Sequence, residues 1–152
     1  EQGAQHAGLV IQSGVGDYRQ LQFGEGKSMT RIVVVLAGLS GAASVLLGAF
    51  AAHGLRARLS EQHLAVFQTA VHYQQWHSLA LLLVGLWLLR QPSFYLRLAS
   101  AAWLLGMLLF SGSLYARVLW GWPVGLLTPL GGLCLVAGWL AVSLAAWRLP
   151  RG

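Results

Sequence analysis

The sequence predicts an all-α, polytopic membrane protein: a bundle of four transmembrane helices with N- and C-termini both cytoplasmic. Three observations lead there. Hydrophobic residues make up 57% of the 152 and charged residues only 9%, where soluble domains carry about 25% charge. Three of the four acids (Glu1, Asp17, Glu25) precede Met29, so Glu61 is the only carboxylate side chain beyond it. The rest of the chain is a series of apolar stretches, the first of them 23 residues without a charge, enough for a hydrocarbon core of about 30 Å. So few charges cannot make a water-facing surface, and the lipid bilayer is the expected solvent.

Residues 1–28 are rich in Gly and Gln, with mixed charges and no sustained period. They are expected to be a disordered extension outside the fold. The transmembrane domain is expected over 29–152. Its first helix, 32–54, contains no charge and repeats small residues at Ser40, Gly41, Ser44 and Gly48, a pattern suited to close helix neighbours. Arg31, an apolar run and Ala49-Phe50-Ala51 also imitate a signal peptide with its cleavage site, but the run is long for that. A short basic connector containing Arg56 and Arg58 follows. Ser60 is placed to cap the second helix, 61–89, with Glu61 in the first turn, where the helix dipole favours an acid. The first half of this helix is amphipathic and the second almost wholly apolar, with Leu82 expected to face lipid, ending at Arg90-Gln91-Pro92. The third helix, 94–117, carries Ala99, Ala102, Gly106 and Ser113 for tight contact. The fourth, 124–147, tolerates Pro129 in its first turns, where a missing donor costs little.

With both termini on one side, that side holds Arg19, Lys27, Arg31, Arg90, Arg97, Arg148 and Arg151, against Arg56, Arg58 and Arg117 on the other. The excess places the termini inside. The basic residues are dispersed between apolar runs rather than gathered on one surface, so the net charge of +6 does not indicate nucleic acid. Cys134 is alone in an apolar run and reads as a small hydrophobe.

Helical rise of about 1.5 Å per residue converts this topology into depth. His53 lies roughly 33 Å above Arg31; His77 and Tyr73 lie roughly 20 and 25 Å above Arg90. Ser113 lies roughly 24 Å above Arg97 and Thr128 roughly 30 Å above Arg148. The unusual polar residues thus gather in the outer half. Thr69, Tyr73 and His77 share one stripe of the second helix, with Gln74 beside it. Polar groups at such depth are expected to turn inward, with Ser111, Ser113, Tyr115 and Thr128 as partners. These residues and His53 form the candidate cluster. With no carboxylate to pair with, His77 is expected to be a neutral imidazole, donating from one ring nitrogen and accepting at the other.

Three readings of the cluster compete. Such residues often join helices through hydrogen bonds worth about 1 kcal/mol each. They can also line a ligand or ion pocket. Haem or metal ligation by His53 and His77 is weakly supported without thiolate or carboxylate, and no cofactor or metal is expected. No nucleophile with a base and an orienting acid is visible, so no catalytic residue is assigned and an enzyme is not expected.

The segment Gly48-Ala49-Phe50-Ala51-Ala52-His53-Gly54-Leu55 resembles the GAFGAHGL motif of the YgdD/YwdK-like small membrane proteins, a family filed as a domain of unknown function. Thr69-Ala70 with Tyr73-Gln74 and His77 resembles its TA-x-x-YQ-x-x-H segment. Phe110 to Tyr115 matches FSGSLY, and Thr128 to Gly132 matches TPLGG, followed by Gly138-Trp139. Four ordered motifs cover residues 29–148; residues 1–28 have no counterpart. Ala51 stands where the family usually has Gly, which is expected to loosen packing at the end of the first helix. The resemblance implies a four-helix protein of the bacterial inner membrane and supplies no activity. An accessory or interaction subunit, with a membrane-protein partner or a homo-oligomer, is therefore the leading expectation. A small-molecule or lipid binder or transporter, using the outer-half polar pocket, is the alternative.

Overall fold

A computed structural model describes residues 28–149. The expectations for residues 1–27 lie outside them, but Ser28 belongs to the first helix rather than to the extension. Four helices follow: α1 (Ser28–Leu55), α2 (Glu61–Arg90), α3 (Phe94–Trp120) and α4 (Leu127–Trp147). Their ends have local causes. The last turn of α1, Ala51–Leu55, widens into a π-helix. Ser60, in extended conformation, caps α2 by accepting from the His63 backbone N–H at 3.3 Å. Gln91 is extended because Pro92 follows, which stops α2 at Arg90. α3 runs three residues past the expected Arg117 because Gly121 supplies a left-handed C-terminus (φ +67°), its N–H bonded to the Arg117 carbonyl at 3.0 Å. α4 starts three residues later than expected, since Gly125 (φ +45°) and Leu126 form a turn, closed by the Leu127 N–H donating to the Val124 carbonyl at 2.9 Å. Pro129 then falls in the first turn, where the N–H it lacks would have had no helical partner.

Neighbouring helices run antiparallel. Along α1, Gly85, Ser78 and Val71 are met in falling order by Val34, Ser40 and Gly48. Along α2 and α3, Gln74 and His77 meet Tyr115 and Trp103. Along α3 and α4, Trp103, Phe110 and Ser113 meet Gly138, Gly131 and Thr128. α2 also touches α4, and α3 touches α1, so these two central helices each contact both outer ones. The main core joins Leu81, Val84, Leu96, Trp103, Met107 and Leu135. A second cluster, at the opposite end from Arg90, packs Ala51 and Leu55 on Phe67 and Val71.

The exterior is leucine-rich: Leu46, Leu108, Leu126 and Leu133 are each 65% exposed or more. α4 inverts the soluble pattern, burying Gly131, Leu135, Gly138, Ala141 and Ala145 while Leu133, Leu140 and Leu144 face out. Small residues inside and large apolar residues outside suit a lipid solvent. α1, α3 and α4 are long and apolar enough to cross a membrane. α2 has the length, at 30 residues, but its first half is too polar to qualify.

Two expectations about packing fail. Ala51 is only 1% exposed and tightly held in the second cluster, so the end of α1 is not loosened. Ala51 and Leu55, the two ends of the π turn, both pack in the cluster with Phe67. Leu82, expected to face lipid, is partly buried against the main core; Leu83 and Leu79 are the lipid-facing positions.

Candidate functional site

The candidate residues do not form one cluster. They fall into three inter-helix ties and three separate positions.

The first tie centres on Gln74. Its amide Nε2 donates to the Ser40 carbonyl at 3.0 Å, and its Oε1 accepts from the Tyr115 hydroxyl at 2.9 Å. Ser78 Oγ stands 2.7 Å from both Ser40 Oγ and the Gln74 carbonyl. One amide thus links α1, α2 and α3, and the Tyr115 ring packs on Phe67 below it at 4.9 Å.

The second tie centres on His77. Nδ1 lies 2.7 Å from the Tyr73 carbonyl, which can only accept. Nε2 lies 3.2 Å from Trp139 Nε1–H, which can only donate. These partners select the neutral ring with its proton on Nδ1, the donor-plus-acceptor arrangement expected from the sequence. Trp103 stands edge-on to both rings and sends its own N–H to the Leu135 carbonyl at 3.1 Å. The third tie is Ser113 Oγ to Thr128 Oγ1, 2.7 Å across the α3–α4 seam.

Three residues join none of these. His53 is exposed and bonds the Ala49 carbonyl of its own helix at 3.2 Å. Thr69 is also exposed, its hydroxyl donating to the Ala65 carbonyl at 2.9 Å. That local bond satisfies the donor, which removes the reason for it to turn inward. Ser111 is buried, and its hydroxyl has no hydrogen-bond partner among the described residues. Tyr73 is 43% exposed; its ring packs against Phe110 at 4.4 Å while its hydroxyl takes no bond there. Ser113 and Thr128 pair with each other rather than with α2.

Sequence reasoning missed Ser40, Ser78, Trp103 and Trp139. Ser40 read as a small packing residue, and Ser78 drew no reading. Trp139 carried a usable signal: an indole far from either predicted interface needs an acceptor for its N–H. Among the described residues no group of three or more His, Cys, Asp or Glu could hold a metal ion.

The family described as "Protein of unknown function (DUF423)" matches residues 47–132, from the last turns of α1 to the first turns of α4, a stretch that includes Gln74, His77, Tyr115 and Thr128. The chain belongs to this family. It is 41% identical over 122 residues to a UPF0382 membrane protein of Haemophilus influenzae, covering 76% of this chain and 93% of that one. It is 35% identical over 127 residues to the UPF0382 inner membrane protein YgdD of Escherichia coli, covering 80% and 94%. For the UPF0382 membrane protein YwdK of Bacillus subtilis the figures are 34% over 119 residues, 76% and 96%. No solved structure matches. The family, the leucine-rich exterior and the three long apolar helices agree on a membrane protein.

Proposed function

We propose that this chain is a four-span protein of the bacterial inner membrane, both termini cytoplasmic, that acts as a non-enzymatic accessory subunit. Its docking surface is the groove between α1 and α2, and its occupant is a transmembrane helix of another membrane protein. The observation that carries this reading is the exposure of His72 and Gln75 in that groove with no hydrogen bond to any described residue. They lie roughly 27 and 22 Å above Arg90, inside the span, where lipid tails offer a polar group nothing. The opposite wall is Gly38, Gly41 and Ala42, and the space is about 840 Å³. Small residues on one wall and free polar groups on the other suit a helix that packs closely and returns hydrogen bonds.

Support for α2 as a fourth span is its antiparallel pairing with α1 and α3 over its length. Inner-membrane placement is supported by the similarity to the Escherichia coli inner membrane protein YgdD. Photo-cross-linking in native membranes tests the docking surface, with a benzophenone amino acid at Gln75 and, as control, at lipid-facing Leu108. The Gln75 probe should give one discrete protein adduct and the Leu108 probe none. Lipid adducts alone at both positions would sink the reading, and an adduct of twice the chain's mass would replace the partner by a second copy. Cysteines at Arg151 and Arg58 should label from the cytoplasm and from outside, respectively.

A further inference from the structure

A second groove, of about 610 Å³, opens to lipid between α2 and α4, with Trp103 of α3 at its floor. Its volume is that of a small-ligand site. From Tyr73 to Trp87 it follows α2 for roughly 21 Å. The two ends differ. Leu83, Val84 and Val142 line the stem, and Tyr73, Trp76 and Trp139 wall the outer end with aromatic faces. Tryptophan normally gathers at the membrane interfaces. Here Trp76 and Trp139 are 68% and 50% exposed, roughly 21 Å above Arg90 and 14 Å above Arg148.

The hydrogen bonds separate these aromatics further. Trp87, Trp103 and Trp139 each donate to an acceptor within the fold: Gln91 Oε1, the Leu135 carbonyl and His77 Nε2. Trp76 N–H and Tyr73 O–H have no acceptor among the described residues. Two free donors therefore flank the aromatic end of an apolar trough. They sit roughly 5–9 Å inside the outer edge of a ~30 Å hydrocarbon core, below the ester carbonyls of ordinary phospholipids. An acyl chain gains nothing from flat aromatic walls that leucine would not give it, whereas a flat ring stacks on them.

We propose that this groove seats an isoprenoid quinone. Its ring lies among Tyr73, Trp76 and Trp139, a ring carbonyl accepts from the Tyr73 hydroxyl or the Trp76 indole, and its tail runs along Leu83 and Val142. The inference needs the chain to span the bilayer but not the partner docking proposed above; the two grooves share Trp76 and Leu79, while Tyr73, Leu83 and Trp139 line this one alone. It is tested by titrating a short-chain ubiquinone into the full chain in lipid nanodiscs and reading tryptophan quenching. Saturable quenching is expected. Y73F with W76F should weaken it about fivefold or more, the loss of one hydrogen bond. L83W, at an exposed position on the groove wall, should block the stem and abolish saturation, while L108W on α3 should leave it unchanged. Linear, unsaturable quenching shared by every variant would overturn the proposal. Equal displacement of the quinone by oleate would overturn it too, making the groove an acyl-chain site.

Discussion

The α3–α4 seam and the α1–α2 seam are written in the same residue types and built to opposite ends. On α4, a Cβ at Gly131 would strike the Phe110 backbone N and come within 2.8 Å of the Leu109 carbonyl carbon. One at Gly138 would strike the Trp103 indole, and one at Gly106 would come within 2.8 Å of Leu135 Cγ. The backbones of α3 and α4 are as close as glycine allows. On α1, a Cβ at Gly48 would meet Val71 at 3.5 Å, one at Gly41 would meet Ser78 at 3.9 Å, and Gly38 has open space; the tight point of this seam is Gly85 of α2, where a Cβ would come within 2.8 Å of Val34 Cγ2, a side-chain methyl rather than backbone. That seam is held by the Gln74 and Ser78 hydrogen bonds, with a groove beside it. Small residues seven apart thus mark a backbone-to-backbone contact in one place and an ordinary side-chain contact in the other.

The contrast can be broken most directly at Gly131. Gly131→Leu should remove most folded protein from the membrane, and even Gly131→Ala should lower thermal stability in detergent by about 3 kcal/mol, because backbone rather than a flexible side chain must move. Gly138→Ala should cost somewhat less, since Trp103 can shift only by giving up its bond to Leu135. Equal tolerance of alanine at Gly131 and Gly48 would erase the difference between the seams.

His77 comes next in size. His77→Leu strands the Trp139 N–H in an apolar site and should cost about 1–3 kcal/mol. His77→Gln keeps an acceptor within reach and should retain most of the stability. The smallest effect is expected at Gly48→Ala, within about 0.5 kcal/mol of the parent by thermal unfolding, because the added methyl enters ordinary van der Waals contact. A large loss there would mean that α1 packs on α2 as tightly as α4 packs on α3.

Much of the architecture was legible because lipid makes few demands: long apolar runs, Pro92 as a stop, and Ser60 as a start. The helix ends that moved, at Trp120 and Leu127, depended on how Gly121 and Gly125 turn, which composition does not disclose. Of the candidate site, the depth of the polar residues was legible and their partners were not. Helical spacing puts Thr69, Tyr73 and His77 on one stripe. It cannot say that Thr69 bonds its own backbone while His77 reaches an indole on α4. The same limit hid Leu82, whose burial depends on where α1 lies against α2.

The hydroxyls that bond back to their own helices bear on how the chain enters the bilayer. Ser44, Thr69, Ser100 and Ser143 are satisfied by carbonyls three or four residues earlier, so these groups need no neighbour on meeting lipid. The Gln74 amide cannot be satisfied in this way, and its acceptor and donor partners sit on α1 and α3. The helix least able to leave water alone is therefore the one whose polar group both neighbours complete. An isolated α2 presented to the insertion machinery should stay largely outside the bilayer, and adding α1 and α3 should draw it in, as glycosylation mapping would report. The order of synthesis delivers α1 first, so Gln74 meets half of its partners on arrival and waits for Tyr115 to complete the set.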